Sequence, residues 1–258
     1  MNIPPGASMR VYGGLAAMVS ALAGTEYAFV FIQGALGVVF SIAAIIFVFG
    51  AISVWKTKGV VADMFENITL LFVYILLITS LPWFYFNEQT LIPGVYTLVL
   101  ALCAWTIYSK RLSLKDVGLV GARPLTVVAG AVAGVPLGVI EYLVLRPAPL
   151  FPSFQLGYFT EISVYMLVFV ALGEELLFRG LIQTSLSKYF GPWQGVIFSS
   201  VIFAVMHTVW RSPLEIGFTF AAGVLLGYTY KKTGSLAPGI AIHTLDNILL
   251  LAVMPYLL

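Results

Sequence analysis

Charge is what this 258-residue sequence has least of. Only 9% of its residues are charged against 60% apolar, and the mean hydropathy is +1.01. A soluble domain carries about 25% charged residues. That shortage excludes an ordinary soluble globular domain and leaves a polytopic membrane protein. Cysteine is almost absent. The single Cys103 excludes an intrachain disulfide and a cysteine-based metal site, and it reads as a buried bystander. Histidine is limited to two residues. No polar stretch is long enough for a soluble domain, and a net charge of +2 gives no reason to expect a nucleic-acid partner. No internal repeat period stands out. The short alternating segments of a membrane barrel are missing. The expectation is an all-α, polytopic transmembrane helix bundle.

What is present is a series of apolar runs. Eight are long enough to cross, at roughly 28–54, 65–86, 91–108, 125–146, 158–187, 193–210, 214–230 and 235–257. None shows a clean amphipathic stripe, as expected for helices that are apolar all round. Val11–Gly24 is shorter and ends before Glu26, so it reads as an interfacial or part-inserted helix. Lys56, Lys58, Lys110, Arg111, Lys115, Arg123, Lys188, Lys231 and Lys232 fall on one side if the eight runs alternate. Arg10, Arg146 and Arg211 fall on the other. The richer side is cytoplasmic by the positive-inside rule, and both termini then face outward if Val11–Gly24 does not cross. Prolines mark the connection Arg146-Pro-Ala-Pro-Leu-Phe-Pro and the restart Gly191-Pro192-Trp193, where Trp193 reads as an interface anchor. Ser235 is a candidate cap, with Pro238 in the first turn of the last helix.

The chain's chemistry is concentrated in its C-terminal half. Gly173-Glu-Glu-Leu-Leu-Phe-Arg-Gly180 places two carboxylates and a guanidinium inside an apolar run, where ionisable groups are costly and usually functional. Glu175 and Arg179 are four apart with the acid first, the spacing of a pair. Glu174 is rotated by about 100° and left available. His207 closes Phe203-Ala-Val-Met-His207, and His243 opens His243-Thr-Leu-Asp246-Asn247, with His243 and Asn247 on one face. Counted along the helices, Glu174 and His207 lie about 21 Å, and His243 about 12 Å, from the lysine-rich ends. All three fall in the middle third of a hydrocarbon core of about 30 Å. A carboxylate, two imidazoles and an amide at one depth could hydrolyse: a base for water, a shared polarising imidazole, and donors for an oxyanion. The same Glu174, His207 and His243 could instead hold a divalent metal such as zinc, although the His-Glu-x-x-His pattern is absent.

Glu174-Glu175-x-x-x-Arg179, Phe203-x-x-x-His207 and His243-x-x-x-Asn247 resemble, in order, the three motifs of the CPBP family, the CAAX-processing endoproteases and bacteriocin-processing (Abi) proteins. Leu112-Ser-Leu-Lys-Asp116-Val-Gly-Leu resembles the segment that often precedes that family's core. The resemblance covers about residues 110–255. It implies an N-terminal set of transmembrane helices over 1–109 and a catalytic membrane domain over 110–258. It also implies a polar cavity among the C-terminal helices, open to the cytoplasm, in a protein of the cell membrane. By the resemblance, Glu174 is the base that activates water, assisted by His207. His243 and Asn247 stabilise the oxyanion, and Glu175 with Arg179 is the structural pair. A metal cofactor stays open. The implied partners are membrane lipids and a peptide or lipidated protein substrate, prenylated CAAX proteins among them.

Two other readings compete with an enzyme. One is a non-proteolytic binding or immunity protein of the same family. The other is a proton-coupled transporter, against which the missing inverted repeat counts. Singly, His207, His243 and Asn247 also fit helix-to-helix hydrogen bonding, and Phe203 fits packing. Asp246 is a second polar group within reach of His243. Glu141, Glu161 and Glu215 read as carboxylates near the outer boundary or against another helix, without a role in the site.

Overall fold

A computed structural model of the chain describes residues 5–80, 88–149 and 152–258. Among the described residues there are nine helices and no strand, as the composition predicts. They are α1 (Pro5–Tyr27, continued by a π turn Ala28–Ile32), α2 (Gly34–Val54), α3 (Val60–Ser80), α4 (Glu88–Ser109) and α5 (Pro124–Leu145). Then follow α6 (Leu156–Phe190), α7 (Pro192–Met206, ending in a 3-10 turn His207–Trp210), α8 (Pro213–Thr233) and α9 (Ala237–Ile248, continued by a π turn Leu249–Val253). Eight are long and apolar enough to cross a membrane, all but α8. The end of the 65–86 run, and Leu150 and Phe151 of the proline-rich connection, lie outside the described residues.

The eight differ from the apolar runs in two places: the run at 214–230, in α8, is not among them, and a helix at the N-terminal end is. The segment expected to lie at the interface is part of a 24-residue apolar helix, Met9–Ile32. Glu26 does not end it. That side chain is buried, and the helix runs on to Gln33, whose extended backbone (φ −163°, ψ 133°) separates α1 from α2. The run at 28–54 is therefore the end of one helix and the whole of the next.

The chain divides into two compact units, Met1–Leu81 with Val205–Arg211, and Pro82–Ala204 with Ser212–Leu258. In the first, α3 buries Met64, Ile68, Leu71, Phe72 and Ile75, a helical stripe that the sequence hides because the other faces are apolar too. The Arg211 guanidinium donates to the Val30 carbonyl at 2.7 Å and lies 5.8 Å from the Phe31 ring centre, which ties residues 205–211 to the π turn. In the second unit, α4 joins the motif-bearing helices, so the compact division does not fall at residues 109 and 110.

The second unit is organised by the contact of α5 with α9. Gly130, Gly134 and Gly138, one turn apart, face the backbone carbonyls of Pro238, Ile242 and Asp246, also one turn apart. A Cβ would stand 2.6 Å from the Pro238 oxygen at Gly130 and 2.5 Å from the Asp246 oxygen at Gly138, so only glycine allows the approach. Small residues bring helix backbones together where lipid offers no hydrophobic drive. Both series ascend together, so α5 and α9 are parallel. An odd number of crossings must lie between them, and α8 therefore crosses with α6 and α7 despite its lysines.

The Leu112–Val120 segment clamps the two helices that carry the site. Asp116 accepts from the Ser113 hydroxyl at 2.7 Å and from its N–H at 2.8 Å. Those bonds, the hydroxyl's first, hold the Asp116 carboxyl below its usual range. The Leu236 N–H donates to the Gly118 carbonyl at 2.9 Å, and the Ser235 hydroxyl donates to Val120 at 2.6 Å while accepting the Ala237 N–H at 3.3 Å. On the other side, Val117 presses its carbonyl against Gly180, where a Cβ would stand 2.9 Å away. Cys103 is buried, as expected. Trp193 is half exposed, stacked on Tyr228 at 5.6 Å, with the Lys231 ammonium 4.2 Å from its ring centre.

Candidate active site

Helix α6 is not regular. A π turn at Met166–Ala171 and another at Leu176–Gln183 flank one α turn, Leu172–Glu175, which presents both carboxylates. Inside a membrane, carbonyls freed by such a turn need partners. The Ser199 hydroxyl supplies one, donating to Phe178 at 3.0 Å, and the Thr184 hydroxyl another, donating to Arg179 at 3.0 Å. Arg179 lies in the second π turn, and its Nε stands 3.4 Å from Glu175 Oε2 with both side chains buried. The guanidinium also lies over the Phe203 ring, 4.7 Å from its centre. Glu175 Oε2 rests against Gly239 in the first turn of α9, where a Cβ would be 3.1 Å away and where the helix dipole favours a negative charge.

His243 stands between the two carboxylates. Its Nδ1 is 3.1 Å from Glu175 Oε1, and its Nε2 is 3.8 Å from Glu174 Oε2. A carboxylate only accepts, so the Nδ1 bond requires the proton on Nδ1 and turns Nε2 towards Glu174. The Phe203 ring meets the imidazole edge-on at 6.0 Å and Phe178 edge-on at 4.9 Å. Glu174 keeps a 14% exposed side chain, while those of Glu175 and Arg179 are 1% and 0% exposed. Glu174 is not paired with Arg179; the Tyr96 hydroxyl of α4 donates to its Oε1. Asn247 lies one turn beyond His243 on α9, half-buried. His207 opens the 3-10 turn that belongs to the first unit, and Glu174, Glu175, Arg179, His243 and Asn247 belong to the second.

Among the described residues no three His, Cys, Asp or Glu side chains stand together as ligands.

The sequence reading missed Tyr96 and the grouping of Glu141 and Glu215 with Asp246. Tyr96 sits in a helix without a motif; its signal is a polar hydroxyl in the middle of an apolar span, which needs a partner when buried. Glu141 and Glu215, read as peripheral, are buried with Asp246, and the Glu141 carboxyl is within hydrogen-bonding reach of the other two. The reason is the glycine contact. Gly138 brings α5 onto Asp246 of α9, and Glu141 follows one turn later.

Residues 157–249 match the family model described as type II CAAX prenyl endopeptidase Rce1-like. The matched stretch holds all three motifs, and the resemblance to the CAAX-protease family is borne out over it. The chain is an integral membrane protein, and its residues 157–249 are similar to this endopeptidase family. No curated protein and no solved structure matches the chain.

Proposed function

We propose that the protein is an intramembrane endopeptidase that hydrolyses a peptide bond of a membrane-associated substrate, prenylated CAAX-type proteins or peptides being the class that the matched family's description names. Glu174 is the base. Its Oε2 removes a proton from water, with His207 assisting; the resulting hydroxide attacks the scissile carbonyl, and as the tetrahedral intermediate collapses the C–N bond breaks and Glu174 returns that proton to the leaving amine. Asn247 donates to the oxyanion, as does His243 in the imidazolium form that carries a proton on Nε2 as well as Nδ1, and Glu175 with Arg179 holds the imidazole and the helix turn in place. The cavity opens to the cytoplasm of the cell membrane, the side assigned to the lysine-rich connections.

The observation that carries this reading is the placement of Glu174 Oε2 at 3.8 Å from His243 Nε2 inside the matched stretch, with Glu175 and Tyr96 holding the two partners. The test is cleavage of a farnesylated CAAX peptide, carrying a fluorophore and a quencher, by the purified protein in lipid vesicles. Wild type should cleave it, and Glu174→Gln should lose about 10²-fold or more of the rate. Equal rates in both would remove Glu174 from the mechanism.

A further inference from the structure

We infer that Tyr96 is a positioning residue of this site: its hydroxyl fixes the Glu174 carboxylate so that one oxygen is tied and the other faces His243. The catalytic consequence rests on the endopeptidase reading, whereas the contact itself does not. The hydroxyl donates to Glu174 Oε1, and hydrogen bonds to an ionised carboxylate are among the stronger ones. The Tyr96 ring lies flat enough against Gly173 that a Cβ there would stand 3.1 Å from Cδ1. The residue immediately before the two glutamates is thus small where the ring must pass. With Oε1 held, the carboxylate cannot turn about its last bond, and Oε2 stays towards the imidazole at 3.8 Å. Tyr96 belongs to α4, outside residues 157–249. The matched stretch therefore lacks one contact of its own base, and α4 supplies it.

The experiment compares wild type, Tyr96→Phe, Glu174→Gln and the exposed control Tyr108→Phe in vesicles. Two readouts are taken, kinetics on the farnesylated peptide and labelling of individual carboxyls by dicyclohexylcarbodiimide, located by mass spectrometry. The second needs no turnover. Tyr96→Phe should lower kcat by about 10²-fold, the scale of a misplaced catalytic group, with KM and the unfolding temperature unchanged. It should also raise labelling at Glu174 several-fold, with labelling at buried Glu215 unchanged as the internal reference. Tyr108→Phe should match wild type in both. If wild type cleaves and Tyr96→Phe cleaves equally well, the positioning role is overturned while the endopeptidase reading stands. A parallel fall in kcat and unfolding temperature, with labelling raised at both glutamates, shows a merely structural tyrosine and also overturns it. If no variant cleaves the peptide, the substrate reading fails separately, and the labelling decides. A rise confined to Glu174 upholds the hold of Tyr96 on the carboxylate, and unchanged labelling overturns it.

Discussion

Arg179 is the side chain whose loss the site tolerates least. It is fully buried, pairs with Glu175 and covers the face of Phe203. Removing one partner of a buried pair strands the other charge, at a cost of about 3–5 kcal/mol. Arg179→Met should therefore lower the unfolding temperature sharply or prevent accumulation in the membrane. Glu174→Gln, at a part-exposed group, should leave stability near wild type while abolishing cleavage. Thermal unfolding in detergent, run beside the vesicle assay, separates the two. A stable Arg179→Met protein would show that the pair does not hold the site. Much at this scale was legible from spacing: Glu175 four before Arg179 forms the ion pair even within a π turn. What spacing could not give was the position of His243 between both carboxylates, or the reach of Tyr96 from a helix nearly eighty residues earlier. Such contacts depend on which helices are neighbours, and apolar segments carry little information about that.

At the scale of elements, the contact of α5 with α9 and the Leu112–Val120 clamp set where His243 stands. Gly134 faces the Ile242 carbonyl with no room for a Cβ, whereas Gly13 has nothing within 4 Å. Gly134→Val should push α9 away, carrying His243 with it, and abolish both tight folding and cleavage. Gly13→Ala should be neutral, and unfolding temperatures of the two variants check the contrast. The clamp has its own signature in pH. Because the Ser113 bonds hold the Asp116 carboxyl below its usual range, its contribution to stability is present above the unfolded value and is lost as pH falls through the lowered one. Asp116→Asn should weaken the clamp at neutral pH and flatten the acid side of the stability profile. A profile identical to wild type's would show that the turn does not depend on that carboxylate. The glycine series Gly130, Gly134 and Gly138 was visible in the sequence. Its partner was not, because the α9 surface it meets is backbone carbonyl, which no residue pattern reveals.

For the whole molecule, the parallel run of α5 and α9 changes the count of crossings. With α1 long enough to cross and α8 required to by the parallel contact, the described residues give nine crossings in place of the eight that length and hydropathy alone give. Arg10 then joins Lys56, Lys58, Lys110, Arg111, Lys115, Arg123, Lys188, Lys231 and Lys232 on one side, leaving only Arg146 and Arg211 on the other. That is a stronger charge bias than eight crossings give, and the positive-inside rule then predicts the N-terminal end inward and the C-terminal end outward. Reporters fused at the two ends should report opposite sides, cytoplasmic at the first and external at the second; the same side at both would refute nine crossings. The long apolar runs made the membrane class readable at once. The amphipathic lower limit of a span, met by α8 with its paired lysines, is set by packing against other helices, which hydropathy does not measure.

The proposed peptidase activity rests on Glu174. The most direct test compares cells carrying wild type with cells carrying Glu174→Gln at equal abundance, and reads new peptide termini across the membrane proteome. Termini that appear only with wild type, next to hydrophobic or lipidated segments, are the predicted result and would name the substrate. Identical termini in both, with a shared phenotype, would contradict proteolysis and point to a binding function of the same helices.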